Sequence, residues 1–374
     1  MSLVLTEDQE LIAKTARDFV DEESPISRMR ALRDADDPVG FSRDLWKKMA
    51  ELGWLGIPYP ESVGGADMGF ADLAVVLEAL GRKLAPEPFV SSVLLAGQAI
   101  LLAGTEEQQA EWLTPMVEGD KVLALAYAEA RSRYEVNAIE ARAEKTGDGY
   151  AITGEKVHVL DGFSADAFVV SALTPGGVSL FVVPADAKGI SRERQVRLDS
   201  RGAAIVRFDG VAVGEQSLLG PEGQAGGVLE QVVDRATVGL CADMLGGMSE
   251  AFELTLDYLK EREQFGVKIG TFQGLQHRAA RLFMEVELSR SVVMAAARAI
   301  DDDDPDLPKL VSLAKARCSD AFVLAGNEGV QMFGGVGMTD EYDIGLYLKR
   351  ARAAELTFGD AAWHRDRWAR LSDY

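Results

Sequence analysis

The spacing of apolar residues changes twice along this chain, and that double switch restricts the fold more than any other feature. Residues 1–121 read as helices: Thr6 and Gln9 form a capping-box pair, followed by an apolar stripe of Leu11, Ile12, Thr15, Ala16, Phe19 and Val20. Turn signals such as "PESVGGADMG" and "LAPEP" punctuate these helices. From Val122 to Leu219 the period shortens. The runs "AFVVSAL", "VSLFVVP" and "AAIVRFDGVAV", set between "TGDG" and "TPGG", have the pattern of antiparallel strands. After "GPEGQAGG" helical spacing returns, with Leu245, Met248, Phe252, Thr255, Leu256 and Leu259 on one stripe. The acidic run "DDDDPDLP", residues 301–308, reads as a solvated loop between antiparallel helices. The expected architecture is mainly α with an inserted β domain. It comprises an N-terminal helical domain over 1–121, a middle antiparallel β domain over 122–225 and a C-terminal helical bundle over 226–374.

A chain of 374 residues, 47% hydrophobic and 26% charged, has enough apolar material for a large core divided among more than one unit. Its net charge of -21 repels nucleic acid and anionic membrane at long range, which argues against sequence-independent binding to either. A local basic cleft for an anionic ligand stays compatible with that charge. Cys241 and Cys318 lie far apart without CxxC spacing, so they are expected to be small core residues of a reducing compartment. The opening "MSLVLTEDQELIAK" lacks the basic start and apolar run of a secretory leader. "VSSVLLAGQAILLAG" falls short of the roughly 18 apolar residues of a membrane span. The expectation is a cytoplasmic protein. His158, His277 and His364 are too widely separated to make a ligand set, so they are expected to be surface or core histidines and no metal site is expected.

Two stretches carry chemistry. In "YLKEREQFGVKIGTFQGLQHRAA", residues 258–280, an arginine at a helix end followed by Gln-Phe-Gly can set a guanidinium fork beside a diphosphate. Phe265 then packs on an aromatic or ribityl surface. On spacing alone, pairing of Arg262 with Glu261 or Glu263 as surface charge is the simpler reading. In "NEGVQMFGGVG", residues 327–337, Gly334 and Gly335 let backbone amides approach a phosphate or adenosine, and Gln331 offers both a donor and an acceptor. Helix ends often carry glycine, and no strand or GxGxxG pattern precedes this one, so it is not a dinucleotide-binding fingerprint.

Together, in this order, the two stretches resemble the acyl-CoA dehydrogenase family over essentially the whole chain. "LWKKMAELGWLGIPYPESVGGADMGFADLAVVLEALGR" and "GTEEQQAEWLTPMVEGDKVLALAYAE" resemble its N-terminal half, and "YLKRARAAELTFGD" resembles its final helix and active-site loop. The resemblance implies a flavoprotein with a C-terminal four-helix bundle that drives tetramerisation. It further implies that Arg262, Gln264, Phe265, Phe272, Gln331, Gly334 and Gly335 hold the ADP and pyrophosphate part of an FAD whose flavin lies mainly on a neighbouring subunit. The implied reaction is α,β-dehydrogenation of an acyl-CoA thioester, with a glutamate removing the α-proton.

The chain departs from that pattern where the chemistry occurs. On the family's Glu-Gly-Thr loop, "LTFGDAAWH" puts Phe358 on the glutamate, Gly359 on the glycine and Asp360 on the threonine. Some members carry the glutamate on an earlier helix, where counting back from Arg262 gives Ala236, or Asp234 with a small gap. Asp234 and Asp360 are the weak substitutes for a base. The Thr-Glu-Pro-x-Ala-Gly-Ser-Asp segment reads "AEARSRYEV", which keeps only Glu129. The Lys-x-Trp-Ile-Thr-Asn-Gly segment reads "KVHVLDG": it keeps Lys156 and Gly162 but has His158 and Leu160 in place of the tryptophan and threonine. Lys156 and Arg131 also read as a patch for the CoA phosphates or as ordinary surface charge.

Groups that would reach a neighbour's FAD are thus present, whereas those that would hold this subunit's own flavin and deprotonate substrate are missing. The pattern resembles the base-lacking partner in the two-subunit acyl-CoA dehydrogenases of bacterial steroid side-chain breakdown, which implies a heterotetramer acting in steroid or fatty-acid degradation. Two alternatives stay open at this point: a self-sufficient homotetramer with an atypical base, and a non-catalytic, FAD-free scaffold or binding subunit.

Overall fold

Capping chemistry written in the sequence sets the first helix. The computed structural model describes residues 4–374. Residues 1–3, the start of the segment read for a leader, lie outside the described residues. Helix α1 (Glu7–Glu23) starts where Thr6 Oγ1 accepts Gln9 N at 3.2 Å and the Gln9 side chain accepts Thr6 N at 3.2 Å. Its buried face is Gln9, Ala13, Ala16 and Val20, while Leu11 and Thr15 of the expected stripe are exposed. The helix turns its small residues toward α4, and Gln9 donates to Asp72 at 2.9 Å. Close approach over alanines outweighs burial of one leucine.

Helices α2 (Ile26–Asp34), α3 (Arg43–Glu51), α4 (Phe70–Arg82), α5 (Gly97–Ala103) and α6 (Glu106–Val117) complete the N-terminal set. Thr105 and Gln108 repeat the capping box at α6. The apolar "VSSVLLAGQAILLAG" run forms a π-helical segment, Phe89–Ala96, that continues into α5, and every residue from 84 to 100 is buried. It is a core helix. Among the described residues no helix is long and apolar enough to cross a membrane.

The strands follow as β1 (Leu123–Ala126), β2 (Arg142–Thr146), β3 (Gly149–Leu160), β4 (Ala167–Thr174), β5 (Gly177–Pro184), β6 (Ile190–Arg194), β7 (Ala203–Gly214) and β8 (Leu218–Leu219). They form one sheet in the order β6-β7-β3-β2-β4-β5-β8, with β1 beside β4. The long ladders β3–β7 and β4–β5 are antiparallel as expected, but β1 runs parallel to β4 from Leu123↔Ala167 to Ala126↔Val170. Strand β1 is buried along its whole length, as a parallel strand covered on both faces should be, and Leu123 N donates to Ser92 Oγ of the π-helical segment. The sheet core includes Tyr150, Phe168, Phe181, Val206 and Phe208, with Tyr150 and Phe181 edge-to-face at 5.0 Å.

The remaining elements are α7 (Gly226–Glu261), the short strands β9 (Glu263–Gln264) and β10 (Val267–Lys268), then α8 (Gln273–Asp301), α9 (Leu307–Phe333), α10 (Ile344–Leu356) and α11 (Ala361–Leu371). By internal packing the chain divides into a helical unit (4–31, Gly69–Ala85 and Thr237–Tyr374) and a strand-bearing unit (Leu32–Met68 and Pro86–Ala236). In the helical unit, α4 and α7 touch backbone to backbone. A Cβ on Gly81 would stand 2.0 Å from Asp243 O, and one on Gly246 1.9 Å from Glu78 O. The stripe expected on α7 is buried at Leu245, Met248, Thr255 and Leu259.

The acidic run at the α8–α9 turn is not all solvated. Asp301 turns its carboxylate onto the first amides of α4, accepting from Phe70 N and, at 3.0 Å, from Ala71 N, so a residue from a distant helix acts as the N-terminal cap. Asp301→Ala is expected to lower stability by about 1–2 kcal/mol, the usual cost of a lost cap. Urea denaturation checks this, with Asp302→Ala as the silent control.

Candidate functional site

In the helical unit, α7 ends at Glu261 and the chain reverses through a two-residue hairpin in which Gln264 pairs with Val267. Phe265 and Gly266 both take positive φ, 55° and 78°, as the tight turn matching strand twist demands. This puts Phe265 at the tip, 92% exposed, edge-to-face with Phe272 at 6.3 Å. Arg262 has its backbone fixed from both sides, by Tyr258 O and Ile269 N at 2.9 Å each. Its exposed side chain makes no hydrogen bond or ion pair with a described residue, because Glu263 is taken by Lys268 at 2.7 Å. The surface-pairing reading of Arg262 is therefore wrong: in a hairpin, the cross-strand lysine outcompetes the sequence neighbour.

The second motif comes to the same end of the unit. Tyr258, one turn before Arg262, stacks on Phe333 at 4.2 Å and 13°, and Tyr342 closes edge-on against both. Phe333 lies between Gln331 and the glycine pair, so this stack ties the two motifs together. Gln331, Gly334 and Gly335 are exposed. Gly334, at φ 70° and ψ -145°, ends α9 by donating to Gln331 O, and a Cβ at either glycine would meet nothing within 4 Å. The backbone there is open to close approach by a ligand. Tyr258 is the member of this group that motif reading missed. Its signal was the aromatic at i−4 from the arginine.

The strand-bearing unit holds the other segments. Glu129 and Lys156 form an interior ion pair: Nζ lies 2.6 Å from Glu129 Oε1, 3.0 Å from Ser171 Oγ and 3.3 Å from Tyr127 O. The other Glu129 lone pairs accept Glu140 N at 2.7 Å and Ala141 N at 3.0 Å. Lys156 is wholly buried, so it is neither surface charge nor part of a phosphate patch. Desolvation drives its pKa down to about 8 against the opposing pull of Glu129. Arg131 is exposed, with only a distant pairing to Glu140 at 3.7 Å. His158 sits at an irregularity in the β3–β7 ladder between Lys156 and Val159, with φ 53° and its amide donated to Gln195. Asp161 is buried against Ser91 Oγ at 2.5 Å, and burial raises its pKa to about 6. Asp234, in the same unit, is buried on α7.

The segment containing Phe358 is a turn between α10 and α11 in the helical unit. Phe358 is partly exposed at φ 61°, and Gly359 at φ 113° has no room for a Cβ beside Trp363 and His364. Asp360 Oδ1 accepts Trp363 N at 2.8 Å as the N-cap of α11. Fully buried Lys315 of α9 donates to Gly359 O at 2.8 Å, Glu355 O at 3.0 Å and Ser319 Oγ at 3.1 Å. His364, 1% exposed, bonds Phe358 O through Nε2 at 3.0 Å, while its Nδ1 has no partner. The neutral tautomer with hydrogen on Nε2 satisfies that geometry. Lys315 was also missed. Its signal was a lysine in the apolar stripe of Val311, Cys318 and Phe322. His158 and His277 are exposed and His364 is core, and the described residues hold no metal-binding cluster. Cys241 and Cys318 are free and buried, as expected.

Known proteins with this pattern share its architecture from end to end. The acyl-CoA dehydrogenase N-terminal, middle and C-terminal domain profiles match residues 6–120, 124–211 and 227–372. This chain belongs to the acyl-CoA dehydrogenase family. The short-chain specific acyl-CoA dehydrogenase of Clostridium acetobutylicum is 29% identical over 376 aligned positions, covering 96% of each chain. Among solved structures, the ChsE4-ChsE5 complex of Mycobacterium tuberculosis matches with a TM-score of 0.91 and 28% identity over the whole of both chains. The Tcur3481-Tcur3483 steroid ACAD matches with a TM-score of 0.89 and 32% identity over 98% of each chain. The family's cofactor is FAD, and the unpaired Arg262 and open Gly334–Gly335 backbone suit its anionic diphosphate.

The turn around Phe358 also sets an acid limit on stability. Burial, reinforced by the nearby Lys315 charge, lowers the His364 pKa to about 3 from an ordinary 6.5. The unfolded chain then binds the proton first, so stability falls as pH drops from about 6.5 toward 3, by roughly 4 kcal/mol from this group. Urea denaturation across that range is expected to show a shallower acid limb in His364→Gln.

Proposed function

We propose that this chain is the base-lacking subunit of a heteromeric, FAD-dependent acyl-CoA dehydrogenase that desaturates the α,β bond of an acyl-CoA thioester. The observation that carries the reading is the turn between α10 and α11. Phe358 offers no proton acceptor, and the carboxylate two residues on, Asp360, is committed as a helix cap. Glu129 and Lys156, the remnants of the flavin-facing segments, are consumed by each other and by Ser171 and backbone. By contrast Arg262, Gln264, Phe265, Phe272, Gln331, Gly334 and Gly335 are left exposed, as groups awaiting a ligand would be.

On this reading, bound FAD would supply the hydride-accepting chemistry. The chain's own part would be to bind and orient: Arg262 would neutralise diphosphate charge, Gln264 and Gln331 would hydrogen-bond the polar backbone of the dinucleotide, and Phe265 with Phe272 would cover its apolar face. The partner supplies the α-proton acceptor. Similarity to the ChsE4-ChsE5 complex and to the Tcur3481-Tcur3483 steroid ACAD favours a heteromer over a homotetramer, and the second of these makes a steroidal acyl group the leading substrate class.

Expression with an acyl-CoA dehydrogenase encoded beside this gene is expected to give a yellow, active complex, whereas the chain alone is colourless and inactive. A yellow, active protein without a partner overturns the proposal. Within the complex, Arg262→Ala should weaken FAD retention by about tenfold to a hundredfold, the scale of a lost charge-assisted hydrogen bond. Flavin absorbance after desalting measures it.

A further inference from the structure

A turn without a base has no evident need of elaborate support, yet the 357–360 turn is held from beneath by two buried ionisable side chains. Lys315 Nζ bonds Gly359 O, Glu355 O and Ser319 Oγ, all uncharged acceptors, and no carboxylate lies within ion-pair distance of it among the described residues. Cys241, Cys318, Glu355 and Asp360 are the titratable groups around it, and burial still drives its pKa down to about 8. An ammonium taken out of water against neutral partners is a costly arrangement for a helix connection. His364 adds a bond to Phe358 O and leaves Nδ1 bare.

The backbone that these groups hold is strained. Phe358 occupies the left-handed region at φ 61°, where a residue with a bulky side chain is rare, and it is followed by a glycine at φ 113°. Asparagine or glycine at 358 would relax the turn. The phenylalanine there is partly exposed and clamped through its own carbonyl and the next one.

We propose that Lys315 and His364 are positioning residues for Phe358, locking the 357–360 turn so that its ring stands as a fixed apolar wall of the acyl-binding site. Assignment of the wall to an acyl site rests on the function proposed above. The clamp itself does not.

The test uses Phe358→Cys in the full chain assembled with its partner; in this chain the native Cys241 and Cys318 are wholly buried. Iodoacetamide alkylation at one fixed pH reads how firmly the turn holds the introduced thiol in place. Adding Lys315→Met should release the turn and change the alkylation rate about threefold or more at that pH. Lys315→Arg should restore the rate, and identical rates in the three backgrounds overturn the positioning role. If Lys315→Met fails to fold, His364→Gln decides. Amide exchange at 357–360 should then speed up about tenfold with β3 and β7 unaffected, and unchanged exchange at 357–360 overturns the clamp. Octanoyl-CoA should protect the introduced thiol in the complex. Alkylation unaffected by octanoyl-CoA, with the Lys315 effect intact, overturns the acyl-wall assignment and leaves the clamp standing.

Discussion

An ammonium group removed from water has to be met by acceptors in fixed positions, and each compact unit of this protein is tied together around one such group. In the strand-bearing unit Lys156 draws Tyr127, Glu129 and Ser171 to a single point, linking the segment after β1 to strands β3 and β4. In the helical unit Lys315 joins α9 to the end of α10 and the approach to α11. Neither lysine has measurable exposure. Both sit beside segments which, in the family pattern, face flavin or substrate.

The two ammonium groups are answered differently. Lys156 meets a carboxylate that is itself saturated by two backbone amides, so the pair closes on itself and leaves nothing for a ligand. A buried pair of this kind costs several kcal/mol per ion to desolvate and about 3–5 kcal/mol to break, so it persists as structure after a neighbouring chemical role has gone. Lys315 meets only carbonyls and a hydroxyl. Its bonds serve the shape of one turn, and that turn carries Phe358. On the proposed function, a turn so firmly held without a glutamate is what a subunit whose partner supplies the base would carry.

The end of the helical unit that carries Arg262 follows a different logic. There the groups are on the surface, and what organises them is backbone conformation: the Phe265–Gly266 hairpin tip, the Gly334 helix end and the Tyr258–Phe333 stack that relates one to the other. Because Lys268 takes Glu263, Arg262 keeps its guanidinium available. A single cross-strand ion pair thereby keeps the arginine out of a surface pair with its sequence neighbour.

Features whose cause is local were legible in the sequence. The Thr6 and Thr105 capping boxes, the buried stripe of α7, the strand runs and the breaks between them depend on residues within a few positions of one another. Membership of the family was equally legible, from motifs spread along the chain. Tertiary structure decided everything set by partners distant in the chain. It turned α1 to bury Ala13 rather than Leu11, made Asp301 the cap of α4 and laid β1 parallel to β4. It took Lys156 from the surface to the interior and placed Lys315 and His364 under Phe358. The physical reason is the range of the interactions: periodicity and capping act through the local chain, whereas desolvation of a charge depends on what the fold brings around it.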